Sequence, residues 1–118
     1  MIEQLLARLM FLRTVSHIAH LKTSSYAQHM ALGDFYGAIG DHADAIAEAW
    51  MGRNNERIAD VPIIAQKAGN VVQDLWGVRS WIDVNRKDKE LASPEIQNLI
   101  DGATDLIDST IYKLKFLS

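Results

Sequence analysis

The sequence contains no cysteine and only two prolines, Pro62 and Pro94. Without cysteine there is no disulfide framework and no thiolate metal site. Any metal would have to be held by imidazole and carboxylate groups. Long apolar runs are also missing: none approaches the ~20 residues of a membrane-spanning helix. The opening stretch MIEQLLARLM is amphipathic, not a charged segment followed by an apolar one, so neither a signal peptide nor a membrane partner is expected. The expected location is the cytoplasm. No basic cluster and no Lys-rich tail occur, and the net charge is −3. A primary role in binding nucleic acid through its phosphates is therefore not expected. Strand-like alternation, internal repeats and low-complexity segments are absent as well.

What remains is helical periodicity. The 118 residues fit a single domain, 1–118, with one core. Residues 2–21 read as a first helix with two apolar stripes. Leu5, Leu9, Leu12, Ser16 and Ala19 form one; Leu6, Met10, His17 and Leu21 form the other. A helix apolar on two sides buries two sides, one against the core and one against a partner chain. A three-residue link, Lys22–Ser24, with Thr23 or Ser24 as N-cap, makes an antiparallel hairpin with the second helix. A loop is expected over Arg53–Val61, then a third helix from about Pro62 to Arg86, with stripe Ile64, Ala68, Val71, Leu75, Val78 and Ile82. After a charged loop, Ser93-Pro94-Glu95 is a helix start: capping hydroxyl, proline in the first turn, acid at the positive end. The fourth helix buries Ile96, Leu99, Ile100, Ala103, Leu106, Ile107, Ile111 and Leu114 and turns Asp101, Asp105 and Asp108 to solvent. The expected fold is all-α, a four-helix bundle.

The second helix, within Ser24–Gly52, carries the chemistry. It holds Asp34, Asp41, Asp44, Glu48, His29 and His42 and no Lys or Arg. Leu32, Phe35, Ile39, Ala43, Ile46 and Trp50 form its apolar stripe. Beside it lies a second face: His29, Gly33, Gly37, Gly40, Asp44 and Glu48. Glycine in a helix costs roughly 1 kcal/mol against alanine, so three on one face point to a close approach of another backbone. His29 and Asp44 are separated by ~22 Å along the axis and cannot share an ion within one helix. Two copies packed antiparallel over Gly33, Gly37 and Gly40 would bring His29 of one copy to Asp44 and Glu48 of the other. Imidazole and carboxylate ligands suit iron, manganese or zinc. His17 and His20, three apart near the end of the first helix, are further candidates. His42, at the edge of the apolar stripe, reads as a hydrogen-bonded core histidine.

Asp41-His42-Ala43-Asp44-Ala45-Ile46-Ala47-Glu48 resembles the D-H-x-D-x-x-A-E segment of the Dps proteins, small ferritin-like iron-oxidising proteins of bacteria. His29, fifteen residues before Asp44, has the spacing of that pattern. His20-Leu-Lys-Thr-Ser-Ser-Tyr-Ala-Gln-His29 is similar to small ferritin-like proteins of bacteriophages. The resemblance implies a ferritin-like bundle and a homodimer or higher oligomer. It also implies a dinuclear site at a two-fold interface, where Fe(II) is oxidised to Fe(III) by peroxide or dioxygen. The ligands carried over are His29, Asp44 and Glu48, with His20 or His17 as the first histidine; local context favours His20. If the chain is phage-encoded, the location is the host cytoplasm. The chain departs from the pattern in having Gly33 where an acid commonly stands. A nine-residue loop, Arg53–Val61, is also too short to cross a ferritin-type bundle end to end, so either the helices fray or the topology is simple up-down-up-down. These departures support an alternative: a non-enzymatic helical bundle acting as a structural, regulatory or small-ligand-binding oligomer.

Overall fold

The computed structural model describes residues 1–66 and 69–117. Its helices are α1 (Ile2–Lys22), α2 (Tyr26–Asn54), α3 (Val71–Asn85) and α4 (Pro94–Phe116), with a single 3-10 turn at Lys89–Leu91. The all-α four-helix bundle is the expected fold, and the described residues contain no strand.

Local chemistry explains most of the boundaries. Ser25 caps α2, its hydroxyl accepting from the Gln28 N–H at 3.2 Å. Thr23 braces the link by accepting from the Ser25 N–H at 3.1 Å and donating to Gln28 Oε1 at 3.0 Å. At its far end α2 runs two residues past Gly52, and Asn55 closes it in the left-handed region, φ 50°. Asparagine tolerates that conformation better than other residues with a side chain. Ser93 caps α4 as expected, accepting from the Ile96 N–H at 3.3 Å.

The third helix is shorter than its sequence pattern predicts. It begins at Val71, where Asn70 Oδ1 accepts from the N–H groups of Val72 and Gln73 at 2.9 and 3.2 Å. Pro62 and Ile64 lie in a non-helical segment instead; Ala68, also assigned to that stripe, lies outside the described residues. Along this segment Ile58, Val61 and Ile64 are half-buried while their neighbours are exposed. A three-residue period is what an extended ribbon of the polyproline type presents on one side.

That segment settles the topology. Arg53 at the end of α2 reaches Glu95 at the start of α4, at 3.7 Å, and Trp50 Nε1 donates to the Glu90 carbonyl at 3.3 Å. The Ile2 N–H at the start of α1 meets Glu90 Oε1 at 3.5 Å. The turn after α3 therefore lies at the same end as the start of α1 and the end of α2, so α2 and α3 run in the same direction. α1 packs on α2 and α3, and α4 packs on the same two, leaving α2 and α3 at opposite corners. Residues 55–66 carry the chain back along the bundle. At ~3.3 Å per residue they have the reach that nine residues lacked. A bundle with one long crossover is the connectivity class that includes ferritin-like folds.

Between the helices lies one continuous core. Ile2, Leu5, Leu9 and Leu12 of α1 meet Leu32, Phe35, Ile39 and Ile46 of α2, Leu75 and Ile82 of α3, and Ile96, Ile100 and Ile107 of α4. The second stripe of α1 is buried only at Leu6; Met10, His17 and Leu21 are exposed. Within one chain that face is open.

Candidate functional site at the helical hairpin

The α1–α2 hairpin brings three of the four histidines to one end of the bundle. His20, near the end of α1, and His29, in the first turns of α2, stack face to face with ring centroids 3.9 Å apart and planes 19° apart. Each ring also reaches the other's backbone. His20 Nδ1 lies 2.8 Å from the His29 carbonyl oxygen, and His29 Nδ1 lies 3.0 Å from the His20 carbonyl oxygen. A carbonyl only accepts, so both rings must carry their proton on Nδ1. Each Nε2 is then the ring nitrogen with no hydrogen-bond partner among the described residues. One turn back, His17 stacks on Tyr36 of α2 at 4.1 Å, and Tyr36 also tilts against His20 at 5.4 Å.

Glycine makes the clasp possible. A methyl group on Gly33 would lie 3.0 Å from His20 Cε1 and 3.2 Å from His20 Nδ1. Gly40 makes similar room for Arg13, whose Cδ and Nε would lie 3.3 Å from an added Cβ. Gly37 has open space around it. The glycine face of α2 thus receives α1 side chains at two positions and stays free at the third. Outside this face, Gly102 of α4 makes room for His42, 3.1 Å from an added Cβ.

The candidate ligands divide into two groups. His20, not His17, meets His29. Asp44 and Glu48 are exposed farther along the uninterrupted α2 and do not join the histidines. Among the described residues no group of three or more His, Asp or Glu side chains gathers within one chain to hold an ion.

Several interactions had no signal in the sequence. The acidic face of α4 is exposed but not idle. Arg79 of α3 donates Nε–H to Asp108 at 2.8 Å and also pairs with Asp83, and Arg86 pairs with Asp101. The bond to Asp108 outweighs burial and raises the Arg79 pKa above its usual value. These arginines clamp α3 to α4. Helical periodicity reports which face a residue occupies, not which opposite charge another helix brings to it. Arg8, stacked over Trp81 at 4.1 Å, was equally invisible, because its partner lies on another helix.

The fold and site define a four-helix bundle with one long crossover and a histidine clasp at its hairpin end. The chain belongs to a family of unknown function, DUF5856, whose model matches residues 20–114. That range includes His20, His29, Asp44 and Glu48. No curated protein and no solved structure matches the chain.

Proposed function

We propose that the protein binds first-row transition-metal ions between two copies of the chain, with His20 and His29 from one copy and Asp44 and Glu48 from the other. The reciprocal clasp carries this reading. Metal-binding histidines characteristically donate their second ring N–H to a carbonyl or carboxylate, which fixes the tautomer and aims the free nitrogen. Both rings already satisfy that condition. Lone pairs lie in the ring planes, so two rings stacked 3.9 Å apart suit two ions, one per ring, better than one shared ion. The open space at Gly37 and the exposed Asp44 and Glu48 leave this side of α2 available to a second copy. Following the Dps resemblance, Fe(II) is the substrate and dioxygen or peroxide takes its electrons. Asp44 and Glu48 would offset the added positive charge of Fe(III).

The experiment is elemental analysis after dialysis against Fe(II) or Zn(II), together with mass in solution. The Asp44→Asn, Glu48→Gln double variant should lose its metal and keep its oligomeric mass. Metal content unchanged in that variant, or a metal-free wild type, overturns the reading. One observation favours a second reading: Gly33 and Gly40 are already filled from within the chain. On that reading the clasp is a staple for the hairpin, and His29→Gln lowers thermal stability with no metal to lose.

A further inference from the structure

The solvent side of α4 carries Asp105, Ser109, Tyr112, Lys113 and Phe116, all exposed. Spacings of three and four keep them on one face. Asp101 and Asp108 beside them are held by Arg86 and Arg79 of α3. Asp105 and Lys113 have no ionic partner among the described residues. They cannot pair with each other, because eight residues of helix separate them by ~12 Å. Ser109 stands midway, four residues from each, and its hydroxyl turns back to donate to the Leu106 carbonyl at 3.2 Å. The midpoint of the face is therefore small. Tyr112 and Phe116 lie against each other, ring centroids 5.8 Å apart, and remain 54% and 69% exposed. Read from Ser109 outward, the charges are complementary under reversal: an acid four residues one way, a base four residues the other.

We infer that this face binds the same face of a second copy, α4 against α4 and antiparallel, with the two-fold axis at Ser109. Asp105 of each copy then meets Lys113 of the other, giving two ion pairs across the axis. Tyr112 and Phe116 come to lie over Leu106 and Gly102 of the second copy, the positions equally far from Ser109 on the other side. A parallel pairing would oppose Asp105 to Asp105 and Lys113 to Lys113, so the charges select the antiparallel sense. Exposed ion pairs add little affinity; they set direction and register, and burial of the aromatic rings supplies the driving force. The small residue at the axis lets the helices reach the 8–10 Å separation of packed helices. None of these residues belongs to the histidine clasp or to the Gly37 face, so the contact stands without the metal reading.

The chain has no cysteine, so one substitution introduces a unique thiol. Under mild oxidation, in which two thiols give two electrons and two protons to dioxygen, Ser109→Cys should become a disulfide-linked dimer. Asn98→Cys is exposed on the same helix but lies eleven residues from the axis. Its two sulfurs would be ~33 Å apart, against the ~7 Å between Cα atoms that a disulfide spans, and it should stay unlinked. Charge reversal is the second arm, read by sedimentation over a concentration series. Asp105→Lys alone and Lys113→Asp alone oppose like charges at both pairs, and each should associate about tenfold more weakly than wild type. Mixing the two single variants, or combining both substitutions in one chain, restores opposite charges and should restore association. Equal cross-linking of the two cysteine variants, single reversals that leave the mass unchanged, or a wild type still monomeric at about 1 mM overturns the inference. Cross-linking of Ser109→Cys alters no charge, so it reads the contact even if a reversal fails to fold.

Discussion

At Gly33 a single missing methyl group decides where a histidine sits. Replacing an exposed helical glycine with alanine normally stabilises by about 1 kcal/mol. Gly37→Ala should show that gain in the stability of the isolated chain, since nothing lies within 4 Å of the added carbon. Gly33→Ala should not. Its Cβ would meet the His20 ring at 3.0 Å, part the two imidazoles and cancel the helical benefit. Denaturant melts of the two variants provide the comparison, and equal gains would show that His20 is not confined. Asp74, in the first turn of α3, has its own signature. Burial raises its folded pKa, so its contribution favours folding most below the unfolded pKa and is lost as pH rises through the folded one. Asp74→Asn should therefore become more stable relative to wild type on going from acid to neutral pH. Melts over that range that track each other would contradict it.

Among the elements, α1, α2 and α4 were legible in the sequence from their apolar spacing, although α1 has no side-chain cap and α2 is capped by Ser25, not by Thr23 or Ser24. Ser93-Pro94-Glu95 fixes one start, and the short link fixes the hairpin. The third helix was legible only from Val71 onward. Ile64 and Ala68 extend its four–three spacing backwards, and Pro62 imitates a first turn, so periodicity alone reads them as helix. Gly69-Asn70 is the competing signal: a flexible residue followed by a strong cap. The apolar spacing of the crossover comes from lying along α1, a tertiary cause that a local pattern cannot distinguish from a helical turn. At the site, the sequence identified the histidines and the need for glycine. It did not reveal that α1 itself fills Gly33 and Gly40, because that depends on how closely the hairpin packs. The clasp also implies an order of melting. His20→Gln should loosen the hairpin end first, seen as faster amide exchange at Ala27–Ala31 than at Ile39–Ala43. Uniform exchange along α2 would count against the clasp as a brace.

Viewed as a whole molecule, 45 × 26 × 21 Å, the bundle keeps its apolar core between the helices and leaves two chemically distinct places on its sides. One is the histidine end with its open α2 face; the other is the outer face of α4. Both bear on self-association. Gly37→Gln, which puts a long side chain where a second copy would seat, should lower the mass in solution while leaving the helical content of the chain unchanged. A mass unaffected by that substitution would remove Gly37 from any subunit contact.

The crossover carries a last consequence. Each half of the chain is a helical hairpin, and the crossover adds only half-buried side chains such as Ile58 and Val61 to the core they share. Nicking the backbone at the exposed Ala59–Asp60 bond should leave the pieces associated through their shared interior, co-eluting and melting as a unit. The gene could then be split there and still specify the same object.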